Sequence, residues 1–300
     1  MSAETTPAAA AGTWQLGDLT VNRMGLGAMR LTQRGSAFGA AATPSDRGQA
    51  KAVLRRALDL GVNHIDTAAF YFSALRSANE LINTALAPYP DDLVIVTKVG
   101  PGRDAWGSWM DAARPDQLRG QVEENLRQLG RDHLDVVNLR RMPSMTSIGD
   151  YVGALAELRD AGLIRHVGVS AVDVADLAAA TAITPVVCVQ NSYSLTNRSS
   201  EPLVTACRQL GIAFVPFFTV AGAGRHHGPA DAEPGQLLDI ARAHDATTAQ
   251  IKLAWSLQHG PHILAIPGTG NPSHLDENVA AAAIRLTSDE LAILDALGGQ

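Results

Sequence analysis

The chain has 300 residues, of which 46% are hydrophobic, and its formal net charge is -6. This length and hydrophobic content suit one large α/β domain with a full core. The negative charge argues against nucleic acid or an anionic membrane as the main partner, and no apolar run reaches the roughly 20 residues that a membrane-spanning helix needs.

The N-terminal region comes first in the chain and divides into a tail and a hairpin. Residues 1–13 are rich in Ala, Thr and Pro and predict a disordered tail. The tail has neither a basic start nor an apolar stretch, so it does not indicate a secretion signal. Residues Trp14–Val21 predict a short β-hairpin that turns at Gly17 and Asp18.

Eight short apolar segments follow, separated by amphipathic stretches, and they predict parallel strands. Their near-continuous Val, Ile and Leu content is typical of a sheet buried on both faces. The predicted strands are Met24–Ala28, Asn63–Thr67, Leu93–Lys98, Leu134–Leu139, His166–Ser170, Val186–Gln190, Ile212–Phe217 and Ile263–Pro267. Eight such units predict an α/β fold, a single (β/α)8 TIM barrel over residues 14–300.

The stretches between the strands carry helix signals. A capping residue or a proline marks several predicted starts, and a glycine follows several predicted ends. The predicted helices include Asp46–Leu60, Pro115–Leu129, Ile148–Ala161, Val174–Ala182, Ser200–Leu210 and Pro272–Ala283.

Two long connections and two cysteines complete the outline. Loops 100–114 and 218–234 are expected at the catalytic rim, because long loops in compact domains are usually functional or disordered. His226 and His227, in the second loop, have no further ligand at a recognisable spacing, so they predict a surface pair and no metal site. Cys188 and Cys207 lie in apolar or helical contexts, which favours buried free thiols and a reducing cytoplasm.

Three residues at predicted strand ends carry most of the chemical information. Asp66 ends one strand, Tyr71 follows it by five residues, and Lys98 ends the next strand. The carboxyl ends of barrel strands line the active site, so these side chains are expected to converge. A cation favours the phenolate, which predicts a Tyr71 pKa tuned toward neutral pH. Such a phenol suits proton delivery to a carbonyl oxygen.

The pattern D-T-A-x-x-Y followed by T-K resembles that of the aldo-keto reductase superfamily, over roughly residues 14–297. The resemblance implies that Tyr71 donates a proton to the carbonyl oxygen, that Lys98 lowers the phenol pKa and that Asp66 pairs with Lys98. The family usually ends its L-D-x-x-x-L-H strand with a histidine, where this chain has Arg140. A guanidinium cannot relay protons, but it can hold an oxyanion or an anionic substrate group. The alternative is that Arg140 turns outward to a rim carboxylate.

Two further side chains lie close to this motif. Phe72 stands where the family usually has glycine, and it either shapes the pocket or simply packs. His64 precedes Asp66 by two residues and points to the same side of the strand, about 6.6 Å deeper in the barrel. It is predicted to be a packed core histidine.

The resemblance also implies a nicotinamide pocket. Gly168-Val169-Ser170 matches the family's G-V-S-N with Ala171 in place of asparagine, and Val189-Gln190-Asn191 matches V-Q-N. Gln190 is expected to bind the carboxamide, and Phe217 to stack on the nicotinamide ring.

The adenosine phosphate is expected at the segment from Ile266 to Asn278, a strand end, a Gly-rich turn and a helix start. Backbone N–H groups at a helix N-terminus suit a phosphate, although an ordinary turn before the last helix is the alternative. The implied cofactor-binding residues here are Gly268, Thr269, His274, Glu277 and Asn278. Many relatives have Lys and Arg where this chain has Gly268 and His274, so NADPH is predicted with NADH as the alternative. The G-x-G at residues 25–27 lacks the third glycine of a Rossmann fingerprint.

Together these features predict a cytoplasmic NADPH-dependent carbonyl reductase. Within the superfamily the chain most resembles bacterial pyridoxal-reductase-type members, which implies pyridoxal or another aromatic aldehyde as substrate; a natural-product ketone fits the same residues. The other hypothesis is a nucleotide-binding regulatory subunit with little turnover. The predicted partner is a small-molecule carbonyl compound, with no nucleic acid and no membrane, and the oligomeric state is left open.

Overall fold

The structure of the protein is a computed structural model that describes residues 6–35, 42–104, 106–220 and 233–298. Its strands, in chain order, are β1 (Thr13–Leu16), β2 (Leu19–Asn22), β3 (Leu26–Gly27), β4 (Gln33–Arg34), β5 (Thr43–Pro44), β6 (His64–Asp66), β7 (Phe72–Ser73), β8 (Arg76–Ser77), β9 (Val94–Val99), β10 (Leu134–Arg140), β11 (Ile164–Ser170), β12 (Val186–Gln190) and β13 (Ala213–Phe214). Seven of them, β3, β6 and β9 to β13, form one parallel sheet in which each strand pairs with the next of the set.

The eighth predicted strand closes this sheet into a barrel. Residues 263–268 form isolated parallel bridges, with Ile263 beside Phe214 on one edge and with Ala265 and Gly268 beside Met24 and Gly27 on the other. The predicted (β/α)8 barrel is therefore confirmed; seven of the eight predicted strands are present as strands, and the eighth is present as isolated bridges.

Helices surround the barrel in the alternation that the sequence predicts. They are α1 (Arg47–Asp59), α2 (Ala78–Leu86), α3 (Leu118–Leu129), α4 (Ile148–Asp160), α5 (Val174–Thr181), α6 (Glu201–Leu210), α7 (Gly235–Ala243), α8 (Thr248–Gln258), α9 (Pro272–Ala280) and α10 (Ser288–Leu297). Asp46 caps α1 by accepting a hydrogen bond from the Gln49 N–H, and Gly130 ends α3 in the left-handed conformation. None of the helices in the described ranges is long and apolar enough to cross a bilayer.

The N-terminal hairpin covers one end of the barrel. Strands β1 and β2 pair antiparallel, as predicted, with Leu16 opposite Leu19. Leu16 is buried in a cluster with side chains of the barrel interior, among them Val94, Val136 and Leu264. The hairpin thus fills the end of the barrel at which the parallel strands begin.

The prediction of a disordered tail over residues 1–13 is wrong for the part that the structure describes. Pro7–Ala11 is a 3-10 helix, and β1 already begins at Thr13. Ala8 is fully buried, and its N–H donates to the Leu60 carbonyl oxygen at 3.0 Å. Small alanine side chains can pack closely against the barrel helices, so a composition that is typical of disorder has here produced a docked segment.

The two predicted loops and the cysteines can be placed in part. Loop 100–114 folds back on itself through a bridge between Arg103 and Trp109. Most of loop 218–234, including His226 and His227, lies outside the described residues. Cys188 and Cys207 are free and buried, as predicted.

Candidate active site

Asp66 and Lys98 form a buried ion pair at the ends of β6 and β9. The Lys98 ammonium donates to both Asp66 carboxylate oxygens, at 2.6 and 2.7 Å, and to the Thr67 carbonyl oxygen at 3.0 Å. Burial alone would lower the pKa of Lys98, but the Asp66 carboxylate and Tyr71 outweigh it, so the pKa is raised. Lys98 is therefore a permanent cation, and Asp66 is its counterion.

Tyr71 lies in the connection after β6, beside this pair. The Lys98 Nζ atom is 4.9 Å from the centre of the Tyr71 ring, and the Phe70 and Tyr71 rings pack edge to face. Burial raises the pKa of Tyr71; Lys98 and Arg140 oppose this effect, while Asp66 adds to it. The net pKa is higher than that of a free tyrosine, so the predicted shift toward neutral pH is wrong.

Arg140 turns into the pocket from the end of β10. Its guanidinium carbon is 5.5 Å from the centre of the Phe217 ring, and its charge acts to lower the pKa of Tyr71. Arg141 points the other way and forms an ion pair with Asp176 at 2.8 Å. The outward orientation that was the alternative for Arg140 is therefore adopted by Arg141, because successive strand residues face opposite sides.

A buried polar network, not predicted from the sequence, lies behind the ion pair. The Thr67 hydroxyl donates to Asn79 on α2, whose amide donates to Asn125 on α3. Asn125 also accepts a hydrogen bond from the Thr97 hydroxyl at 2.6 Å. The network fixes the residues adjacent to Asp66 and Lys98. The sequence signal for this network was the threonine next to Asp66 and the threonine next to Lys98. Their asparagine partners lie on α2 and α3, far from them along the chain, and could not be identified from the sequence.

Loop 100–114 supplies a wall that sequence reasoning also missed. Arg103 donates to the Phe72 carbonyl oxygen at 2.7 Å and to the Phe70 carbonyl oxygen at 3.3 Å, the residues on either side of Tyr71. Its guanidinium carbon is 4.5 Å from the centre of the Phe72 ring, and Trp109 packs edge-on against Phe70. Phe72 therefore packs against Arg103, and Arg103 fastens the loop to the backbone around Tyr71.

The predicted nicotinamide pocket adjoins these residues. Ser170 pairs with Arg140 on one side and with Gln190 on the other, and the Gln190 amide N–H donates to Asp66 at 2.9 Å. The Ser170 hydroxyl and the Gln190 amide oxygen are buried without a hydrogen-bond partner in the described part of the chain. A carboxamide carries both a donor and an acceptor, so these two atoms fit it, although Gln190 has only its oxygen left for the task.

The predicted phosphate loop lies at the seam of the barrel, where β3 meets residues 263–268. Gly27 pairs with Asp66 on one side and bridges to Gly268 on the other. The Asn271 side chain caps α9 by accepting from the Ser273 N–H, and Thr269 holds the turn by accepting from the Asn271 N–H at 3.0 Å. Pro272 has no N–H and the Ser273 N–H is already bonded to Asn271, so the helix start has fewer free N–H groups for a phosphate.

The remaining residues of this loop are accessible. His274 and Glu277 are exposed, and Asn278 is half-buried one helical turn after His274. Arg30 was not predicted, but it lies against the same loop: a Cβ at Gly268 would be 3.8 Å from its Cγ atom. The Arg30 guanidinium donates to the Gly35 carbonyl oxygen at 2.6 Å.

His64 is a core residue, as predicted. It lies below Asp66 on the inner face of β6 and is 1% exposed. Burial lowers its pKa to about 4, against the opposing effect of the Asn22 backbone, so its ring is neutral at pH 7. In the described residues, no group of three or more His, Cys, Asp or Glu side chains could hold a metal ion.

Comparison with known proteins connects this site to a family. Residues 23–298 match the model of the Aldo/keto reductase family. The pyridoxine 4-dehydrogenase of Escherichia coli is 44% identical over 95% of this chain and 98% of its own length. An aldo-keto reductase of Klebsiella pneumoniae, solved with NADP and acetate, has a TM-score of 0.75 at 30% identity over 93% of this chain and 92% of its own. The thermostable aldo-keto reductase Tm1743, solved with the inhibitor epalrestat, has a TM-score of 0.79 at 30% identity, with 95% and 99% of the two chains covered.

Proposed function

The chain belongs to the aldo/keto reductase family of NAD(P)H-dependent oxidoreductases, and we propose that it is an NADPH-dependent carbonyl reductase acting on an aldehyde or ketone. The observation that carries the proposal is the contact of three groups: the buried Lys98–Asp66 ion pair, with its 2.6 Å bond, and the Tyr71 phenol beside it. A neutral phenol next to a fixed cation suits proton donation to an oxygen that becomes negative.

The cofactor would lie along the rim from the nicotinamide pocket to the seam. A bound reduced nicotinamide supplies the hydride that the carbonyl carbon accepts. The residues that would hold the cofactor are Ser170, Gln190, Phe217, Gly268, Thr269, His274, Glu277 and Asn278.

The side chains of this protein would handle the proton and the charge. Tyr71 is protonated at neutral pH because its pKa is raised, and it donates its proton to the carbonyl oxygen. Lys98 and Arg140 stabilise the resulting phenolate, since both cations favour that form. Asp66 keeps Lys98 charged and in place through two hydrogen bonds. A guanidinium is not a proton relay, so Arg140 does not replace a histidine in that role.

The substrate that we propose is pyridoxal or a related aromatic aldehyde. The name of the E. coli relative refers to pyridoxine, the corresponding alcohol. The rim around Tyr71 has aromatic walls at Phe70, Trp109 and Phe217, which suit a flat ring. A natural-product ketone with an aromatic ring is the second candidate on the same observation.

The comparisons support NADPH as the cofactor, and the cysteines support an intracellular setting. A relative of 30% identity was solved with NADP, but exposed His274 is the only basic side chain among the proposed nucleotide contacts. We therefore propose a preference for NADPH that is weaker than in relatives with Lys and Arg at these positions. Two buried free thiols support a reducing compartment, the cytoplasm.

The test is a panel of aldehydes and ketones with NADPH and NADH, run on wild type and on Tyr71→Phe. We expect turnover of pyridoxal or another aromatic aldehyde and a loss of at least about 10²-fold in Tyr71→Phe, the low end for removal of a positioned acid. Cofactor affinity, measured by tryptophan fluorescence, should be unchanged. Tyr151→Phe, on α4, is the matched control.

Two results would contradict the proposal. Wild-type turnover in Tyr71→Phe would exclude this phenol as the proton donor. Tight binding of NADPH without reduction of any compound on the panel would favour the nucleotide-binding regulatory subunit.

A further inference from the structure

The charges of Asp66, Lys98 and Arg140 at the rim of the pocket do not sum to zero. Lys98 is neutralised by Asp66, with both carboxylate oxygens engaged. Arg140 makes no ion pair and no side-chain hydrogen bond with any residue that the structure describes; its guanidinium carbon lies 5.5 Å from the centre of the Phe217 ring. These three side chains therefore leave one positive charge facing the substrate pocket. A half-buried cation of this kind favours an anion in the ligand that occupies the pocket.

We propose that Arg140 is a specificity-determining residue that binds an oxygen anion on the ring carbon next to the one carrying the reacting carbonyl. The inference rests on the proposed carbonyl reductase function and narrows its substrate class to ortho-hydroxy aromatic aldehydes. Pyridoxal belongs to this class, because its ring hydroxyl is adjacent to its aldehyde.

The position of Arg140 relative to Tyr71 supports this assignment. The carbonyl oxygen of the substrate must accept a hydrogen bond from the Tyr71 phenol, whose ring centre is 4.9 Å from the Lys98 Nζ atom. Arg140 follows Asn138, the β10 partner of Lys98, by two residues, so its side chain leaves the sheet on the same face as that of Asn138. A group bound by Arg140 therefore lies close to the carbonyl oxygen. The Arg140 guanidinium faces the Phe217 ring, so the N–H donors of Arg140 remain available to a ligand in the pocket.

The chemistry of the substrate class matches the guanidinium. A hydroxyl ortho to an aldehyde is acidic because its anion is conjugated with the carbonyl group. The two oxygens of a planar ortho-hydroxy aldehyde point the same way, and the planar guanidinium can donate parallel hydrogen bonds to such a pair, as it does to a carboxylate. A lysine offers the same charge without this fork.

The assignment predicts an effect on the reaction as well as on binding. The carbonyl carbon takes up the hydride and its oxygen takes the proton of Tyr71, while the ortho oxygen keeps its charge and all its bonds. Negative charge that builds up on the carbonyl oxygen would be repelled by that neighbouring anion. Arg140 offsets the repulsion, so its loss should lower kcat and raise KM for ortho-hydroxy substrates.

The experiment compares 2-hydroxybenzaldehyde with 2-methoxybenzaldehyde, which blocks the anion at the same place. A charge-assisted hydrogen bond contributes about 1.5–3 kcal/mol, so wild type should prefer the hydroxy compound by roughly 10- to 150-fold in kcat/KM. Arg140→Met should bring the ratio close to one, and Arg140→Lys should retain part of the preference. Arg141→Met is the matched control, because that side chain pairs with Asp176 outside the pocket, and it should keep the wild-type ratio.

A binding measurement separates this inference from the proposed function. The amide of 2-hydroxybenzamide resists hydride reduction, so its dissociation constant from the NADP-bound enzyme, read from tryptophan fluorescence, does not depend on turnover. It should bind at least about tenfold more tightly than 2-methoxybenzamide to wild type, and equally to Arg140→Met.

Failure of reduction with every aldehyde would overturn the proposed function, and the binding ratio would still decide the role of Arg140. Equal affinities in wild type, or a preference that survives in Arg140→Met, would overturn the inference.

Discussion

At the scale of single residues, the Asp66–Lys98 ion pair is notable for its burial beside Tyr71. Both side chains are nearly inaccessible, with 6% and 3% of their surfaces exposed. A buried pair of this kind adds little stability relative to apolar residues, because its desolvation offsets its attraction. Removing one partner is far more costly, since the other charge then stays buried without a counterion. The pair is therefore best explained by its effect on Tyr71.

We predict that Asp66→Asn lowers the free energy of unfolding by about 3–5 kcal/mol, the range for breaking a buried ion pair. Lys98 would keep the Thr67 carbonyl oxygen and the new amide oxygen as acceptors, and neither can neutralise its charge. Denaturant unfolding followed by circular dichroism measures the loss.

The matched control is the double variant Asp66→Asn with Lys98→Met, which removes the buried charge as well. It should recover most of the lost stability, although the Tyr71-dependent activity should stay low in both variants. If the double variant is no more stable than Asp66→Asn, the unpaired ammonium is not the cause of the loss.

The sequence predicted which of these residues meet, but not their electrostatics. Asp66, Lys98 and Arg140 end strands of a parallel barrel, so their convergence follows from topology alone. The raised pKa of Tyr71 depends on how deeply the folded chain buries it, and this depth has no periodic signal in the sequence. The same limit explains why Arg103 was missed.

At the scale of elements, α9 and the turn before it determine how the adenosine end of a cofactor can be held. The side chains of Asn271 and Thr269 accept hydrogen bonds from backbone N–H groups of the turn itself. On α9, the charge available to a 2′-phosphate comes from the exposed face, where His274 precedes Asn278 by one turn. An imidazole is charged only when protonated, whereas a guanidinium always is.

We predict that His274→Arg tightens NADPH binding by roughly 10-fold or more and leaves NADH binding within about twofold, since a charge-assisted hydrogen bond contributes about 1.5–3 kcal/mol. Fluorescence titration with both cofactors measures the two constants. His133→Arg adds the same group on the connection between α3 and β10, away from the loop, and should change neither constant. Equal tightening of NADPH and NADH by His274→Arg would mean that position 274 does not face the 2′-phosphate.

Elements with a strong apolar period were predicted well, and those without one were not. The strands at 93–98, 134–139 and 186–190 agree with the structure within one residue. The closing segment 263–268 is held by isolated bridges, so its strand character depends on both neighbours. The 3-10 helix Pro7–Ala11 has no amphipathic pattern, and only its contacts with the barrel order it.

At the scale of the whole molecule, the seam between β3 and residues 263–268 closes the barrel and carries the cofactor loop. Backbone hydrogen bonds cross it, from the Gly25 N–H to the Ala265 carbonyl oxygen at 2.8 Å and from the Gly27 N–H to the Pro267 carbonyl oxygen at 3.2 Å. Arg23 adds a bond from its Nε atom to the Ile263 carbonyl oxygen. The seam thus couples the closure of the barrel to the placement of the turn at Gly268.

We predict that Gly27→Ala destabilises the protein and weakens NADPH binding together. A Cβ at Gly27 would be 2.7 Å from the Ile266 carbonyl oxygen, so the backbone of β3 and that of residues 263–268 must move apart. Overpacking of this kind costs about 1–3 kcal/mol, and the displaced Gly268 turn should lower NADPH affinity. Gly120→Ala, on α3 with no atom within 4 Å of the new Cβ, is the control and should stabilise by about 0.5–1 kcal/mol without affecting NADPH. Thermal unfolding and fluorescence titration measure the two effects. A Gly27→Ala protein that loses stability but binds NADPH as wild type does would show that the seam and the cofactor loop are independent.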